Sequence, residues 1–324
     1  MNASGRPLRL GVIGAGSHAS ENLLPAVRLS EQFHLDVICT RSESTASAAA
    51  KRWQAQGWTT SIDQVLERSD AVVVSGPPDL HEQVIKEATN CGVPLFVEKP
   101  PAMSTQRLLA ALAVPLAEAA VFVDFNMRFS TMYQRAVEEV PCEAPQMMRI
   151  RMIARKPSVP LWGSADIIES SLLAVGIHGI DMLTNRFGPP ADLTVRCVML
   201  DDVRFSLLVS ASFPGQRLGV LELGNYSNTF ESSVEVIAAT GSSRLDNLTT
   251  LTRRPIGNST TDKYARSLEI GGLTGGFERN GYSMALGAFA AMAHGDAPNN
   301  SDLVGAMHAL DVVQLVLDQV PRRK

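Results

Sequence analysis

The chain has 324 residues, too many for one ordinary core and enough for two domains. Hydrophobic residues make up 45% and charged residues 19%, which excludes a disordered chain. The net charge of −4, with no Lys/Arg-rich stretch, excludes the usual footprint of a nucleic-acid or anionic-membrane partner.

The longest apolar runs, such as Ala71–Ser75 and Val312–Leu317, fall far short of the roughly 20 residues that span a bilayer. Met1–Pro7 shows no apolar stretch with a small-residue cleavage site, so no secretory leader is expected. Cys39, Cys91, Cys142 and Cys197 form no C-x-x-C pair, and Cys39 and Cys91 read as buried small hydrophobes. A reducing cytoplasm is the expected home.

In chain order, Leu8–Ile13, Leu35–Cys39, Ala71–Ser75, Pro94–Val97 and Ala120–Asp124 are near-continuous apolar runs of strand length. Such runs suit strands buried on both faces of a parallel sheet. Between them Ser44–Trp53, Ser61–Arg68 and Leu80–Cys91 carry helical spacing, with His81, Val84, Ile85 and Ala88 on one face. The alternation predicts a doubly wound α/β domain over residues 1–125.

Residues 126–324 change texture. Met147–Ala154, Leu193–Leu200, Arg204–Phe213, Leu218–Leu223 and Ser232–Ala238 read as strands, several with alternating polarity. They predict a large, mostly antiparallel open sheet in an α+β domain. Ser170–Phe187, Tyr282–His294 and Asp302–Val320 are helical by spacing, and Gly271–Gly276 reads as a mobile loop. The sheet has one face that helices cover and one that needs a partner, so a homodimer or homotetramer through that sheet is expected.

Gly14-Ala15-Gly16-Ser17-His18-Ala19 follows the first strand directly and opens a helix. The first glycine permits a tight turn and the second lets a pyrophosphate approach the backbone. The small Ala19 lets helix and strand pack closely, with the phosphates over the helix N-terminus. This is the fingerprint of a Rossmann dinucleotide site. A carboxylate after the second strand would select NAD(H), but the chain reads Thr40-Arg41-Ser42 there. Two hydroxyls and a guanidinium suit a 2′-phosphate, so NADP(H) is favoured over NAD(H).

Three further stretches, Asp70–His81 (containing Ser75-Gly76-Pro77), Phe96-Val97-Glu98-Lys99-Pro100 and Gly176-Ile177-His178-Gly179-Ile180-Asp181, resemble the Gfo/Idh/MocA oxidoreductase family. The resemblance extends to Asn126-Met127-Arg128-Phe129 and the Ser301–Val320 tail; it is strong over residues 8–130 and looser beyond 190. It implies a Rossmann domain, then an α+β domain, with a small-molecule substrate bound between them beside the nicotinamide. It further implies that Lys99 and His178 are the catalytic pair. A proton donor near neutrality and an ammonium beside the developing charge are what hydride transfer to a carbonyl or imine needs.

The resemblance also places Ser75, Gly76, Pro77, Glu98 and Arg128 at the cofactor, with His18 and His81 lining it and not catalytic. Lys99, His178, Asp181 and the loop residue Trp162 are the expected substrate contacts. Each has a plainer reading: Lys99 as an ion-pair partner of Glu98, His178 as a core histidine, Asp181 as structure.

One departure matters. Sugar dehydrogenases of the family carry an Asp four residues before the histidine, and this chain has Ala174. The loss disfavours polyol oxidation, so an NADPH-dependent reductase of a ketone, imine or biosynthetic intermediate is the leading expectation. The alternatives are an NAD(P)-dependent sugar or cyclitol dehydrogenase and a catalytically silent NADP(H)-binding protein. No His/Cys/carboxylate spacing suggests a metal.

Overall fold

The computed structural model describes residues 6–138, 145–257, 261–265 and 276–321. Cys142 and nearly all of Gly271–Gly276 lie outside them. The chain divides into two compact units, Met1–Asn126 with Leu273–Ala306 and Met127–Gly272 with Met307–Lys324.

The first unit is built on six parallel strands: β1 (Leu8–Ile13), β2 (Phe33–Cys39), β3 (Gly57–Thr59), β4 (Ala71–Val74), β5 (Leu95–Glu98) and β6 (Val121–Asp124). Their order is β3-β2-β1-β4-β5-β6, the doubly wound arrangement that reverses direction beside β1. The apolar runs form strands because both faces are covered; β4, β5 and β6 are buried at every position. The outer edge of β6 is closed by backbone pairing, Val123 N–H donating to Ser301 O at 2.7 Å.

Residues 276–306, expected in the second domain, cluster instead with the first unit. Helix Tyr282–His294 belongs to the first unit because Phe289 is fully buried among Phe33, Phe96 and Phe122, with ring centroids 5.5 to 6.3 Å away. Aromatic packing of this kind is a tertiary fact that helical spacing alone does not contain.

The second unit holds eight strands: β7 (Met147–Ile153), β8 (Asp192–Met199), β9 (Phe205–Phe213), β10 (Arg217–Gly224), β11 (Glu231–Ala238), β12 (Gly241–Asp246), β13 (Thr250–Pro255) and β14 (Asp262–Ala265). They run β14-β13-β12-β11-β7-β10-β9-β8, antiparallel except for β7 beside β10. Along β9 buried and exposed positions alternate, so one face is core and the other carries Leu208.

The helical run Ile167–Phe187 lies on the core face. It is α-helical over Ile167–Ser171, widens to a π-turn over Leu172–Gly176, and is α-helical again over Ile177–Phe187. Its length and hydropathy would suffice to cross a bilayer, yet 83% of its most apolar window is buried within the protein. Close approach to β10 depends on glycines: a Cβ on Gly176 would lie 2.9 Å from Leu223, and one on Gly179 2.7 Å from Leu221. Cys91, expected to be buried, is exposed at the end of helix Pro78–Cys91.

Candidate functional site

In the first unit β1 ends in the Gly14 turn. Gly14 has φ +90°, and a Cβ there would sit 1.9 Å from Ser75 O, so no other residue fits between the ends of β1 and β4. A Cβ on Gly16 would instead meet open space, the room that a pyrophosphate requires, and Ser17 and His18 are exposed beside it. Ala19 is fully buried at the start of the following helical segment. The turn therefore fits a dinucleotide on backbone grounds: a required tight bend, an empty approach and a close helix packing.

Beyond β2, Thr40 donates its hydroxyl to Ser42 O at 3.1 Å, and Ser42 caps helix Glu43–Trp53 by accepting from Thr45 N–H at 3.3 Å. These hydroxyls are partly spent on local structure. Arg41 between them is exposed just ahead of that helix.

The loops after β4 and β5 are tied together by His81. Its Nε2 accepts from Gly76 N–H at 3.0 Å, which leaves Nδ1–H to donate to Pro100 O at 2.9 Å. Burial pushes its pKa below the ordinary value, so the ring is neutral. His81 was expected to line the nucleotide; the structure makes it a buried clamp that holds Ser75-Gly76-Pro77 and the Lys99-Pro100 segment in place.

Beside Gly14's turn, His18 Nε2 lies 2.6 Å from Glu98 Oε1 and 3.3 Å from the Tyr282 hydroxyl. Glu98 is buried, and its other oxygen accepts from Lys99 N–H at 3.2 Å. Burial works against the Glu98 anion, but His18 and Lys99 outweigh it and hold its pKa below the usual carboxylate value. Asp124 at the end of β6 is driven the other way, well above the usual value, by burial and by the neighbouring Glu98. Of the two carboxyls Glu98 is thus the stronger acid and Asp124 the weaker. Lys99 is half-buried; desolvation lowers its pKa, opposed by Glu98 and Asp124. Sequence reasoning missed Asp124 and Tyr282, because nothing in their spacing ties them to Glu98.

In the second unit His178 is buried on the helix that follows the π-turn, and Ala174 lies within that turn. π-turns inside helices are frequent at functional sites. Asp181 and Arg128, assigned to substrate and cofactor respectively, meet in a buried ion pair, Nε to Oδ2 2.7 Å. Burial raises Asp181 to about 6 even so, with Arg128 pulling it back down. Glu169 accepts a hydrogen bond from the Ser164 hydroxyl. Trp162 is half-buried with φ +54°, a left-handed conformation that a bulky residue adopts only at a cost. Among the described residues no group of three His, Cys, Asp or Glu is arranged to hold a metal.

Residues 8–122 match the family model GFO_IDH_MocA, described as an oxidoreductase family with an NAD-binding Rossmann fold. A curated relative, inositol 2-dehydrogenase of Corynebacterium glutamicum, is 29% identical over 159 residues, 48% of this chain and 47% of the relative. The chain's match spans about half the length of the first such relatives. Among solved structures, a dehydrogenase from Chromobacterium violaceum superposes with TM-score 0.87 at 22% identity, over 96% of this chain and 94% of that one. A Gfo/Idh/MocA family oxidoreductase from Vibrio cholerae gives TM-score 0.79 at 20% identity, over 97% and 100%. At these identities the structural likeness shows the fold.

Proposed function

We propose, from the match of its Rossmann portion to the Gfo/Idh/MocA oxidoreductases, that the chain is an NADP(H)-dependent reductase of a small carbonyl or imine compound. The observation that carries the dinucleotide is the Gly14 turn, where one glycine admits no side chain and the next faces open space. The 2′-phosphate of NADP(H) falls to Arg41 and the start of helix Glu43–Trp53, where no carboxylate competes between β2 and Glu43. The cofactor, when bound, supplies the hydride. The rest is the work of the chain: Lys99 places an ammonium against the oxygen or nitrogen that gains charge, and His178 holds the proton that neutralises it.

Reduction is favoured over polyol oxidation by how the carboxylates are spent. Ala174 brings none, Asp181 is held by Arg128, and Glu169 is held by Ser164. A hydroxyl substrate wants such a group as its acceptor. Trp162, with its strained backbone, and Lys99 complete the proposed substrate contacts. The second reading, an NAD(P)-dependent cyclitol or sugar dehydrogenase, is favoured by the relatives named inositol 2-dehydrogenase. A panel of carbonyls and imines with NADPH, run beside inositols and sugars with NADP+ and NAD+, separates the two. Turnover only in the polyol arm would overturn the reductase assignment.

A further inference from the structure

His18 stands at an unusual crossing of two environments. It is part of the glycine turn, two residues after the open face of Gly16, and its side chain is 45% exposed. Its Nε2 reaches inward to Glu98, whose side chain is 4% exposed, and to the Tyr282 hydroxyl. A buried carboxylate is costly unless a cation or hydrogen-bond donors meet it. Glu98 is met by His18, by the Lys99 N–H and by the Asp124 carboxyl, and of these His18 exerts the largest favourable influence, so the imidazolium form of His18 has a structural reason to exist. Both of these contacts are made by Nε2, while the ring stays part-exposed beside the open approach at Gly16.

We propose that His18 is a titrating cation of the dinucleotide site: Glu98 holds it protonated, and its charge helps bind the pyrophosphate. The proposal rests on the dinucleotide reading above. The charged and titratable groups around the ring are Glu98 and Lys99 from the end of β5, Asp124 behind Glu98 on β6, Tyr282 on its own helix, and Glu21 on the segment that His18 opens. Glu98 is the largest influence and raises the pKa of His18 above its ordinary value, burial and Lys99 oppose it, and Glu21 adds to it. The sign follows. Below that raised pKa the turn carries a full positive charge; above it the charge is lost, and affinity for a diphosphate falls. By reciprocity, the bound pyrophosphate favours the proton, so binding near the pKa takes up protons from buffer.

ADP-ribose is the probe, because it carries the pyrophosphate without a nicotinamide and without a 2′-phosphate that would titrate in the same range. Its dissociation constant is measured by calorimetry on the full chain between pH 5.5 and 9, in two buffers of different ionisation enthalpy. The expected result is affinity weakening about fivefold across the range, the scale of one solvent-screened charge–charge contact, with proton uptake in the middle of it. H18Q should bind weakly at every pH without the slope, and H18R should bind tightly without it. E98Q should move the midpoint to lower pH. Thermal melts of H18Q and H18R identify a variant that fails to fold, and either folded variant suffices for the comparison. A wild-type slope that survives in H18Q or H18R, or a flat wild-type profile, would overturn the role of His18 while leaving dinucleotide binding intact. No ADP-ribose binding at any pH would overturn both.

Discussion

Arg41 and His81 are both polar residues that the sequence places near a nucleotide, and the structure separates them by burial alone. Arg41 is exposed just ahead of the Ser42 cap of helix Glu43–Trp53, where a ligand's phosphate would meet it. Arg41→Ala is expected to weaken NADPH by tenfold or more and NADH little, since each charge-assisted hydrogen bond lost is worth roughly 1.5–3 kcal/mol; equilibrium titration of both cofactors checks it. His81 instead spends both ring nitrogens on backbone groups. His81→Ala leaves a buried N–H and a buried C=O unmet, an expected loss of about 2–4 kcal/mol in denaturant melts. Because burial lowers its pKa below 6.5, the unfolded chain binds the extra proton. His81 therefore contributes stability that is present above about pH 6.5 and fades as pH falls below it. His81→Gln should flatten that acid slope. Its motif was legible in the sequence; its tautomer and its two partners were not, because they depend on loops from two different strands.

At the scale of elements, the short helix Asn126–Phe129 and the helix Ile177–Phe187 are joined by the Arg128–Asp181 pair. Breaking a buried pair from one side leaves an uncompensated charge and typically costs 3–5 kcal/mol. Asp181→Asn is expected to lower stability by about that much and to disturb His178 one turn away, read as a fall in turnover together with a lower melting temperature. The strands of the Rossmann sheet were readable from their continuous apolar runs. β3 was not, being three residues at the sheet's edge that open with a glycine. Nor were β12 and β13: Gly-Ser-Ser-Arg-Leu-Asp and Thr-Leu-Thr-Arg-Arg-Pro are too polar to signal a strand without their ladder partners. The π-turn at Leu172–Gly176 was hidden for a related reason, since one inserted residue hardly disturbs helical spacing.

For the molecule as a whole, the outer face of the large sheet is the feature with most left to explain. Val198, Leu208 and Leu218 are exposed there on three adjacent strands, beside a polar band in which Arg151 meets Glu222 and Glu231. We propose that this face pairs with another copy as a homodimer or homotetramer. Leu208→Glu with Leu218→Glu should then yield a monomer by light scattering, and a monomeric unmutated protein at micromolar concentration would contradict the assignment.

The proposed reaction assigns one role to Lys99 of the first unit and another to His178 of the second. Lys99→Ala is expected to cut turnover by two orders of magnitude or more, and His178→Ala by roughly 10²–10⁴, with NADPH affinity little changed in the latter. All of this presupposes the Gly14 turn as a seat for NADP(H), and direct calorimetric titration of the unmutated protein with NADPH and NADH tests that claim with no substrate in hand. The predicted result is saturable one-to-one binding of both, with NADPH tighter by at least tenfold. Equal affinities would contradict the choice of cofactor, and no binding of either would contradict the site.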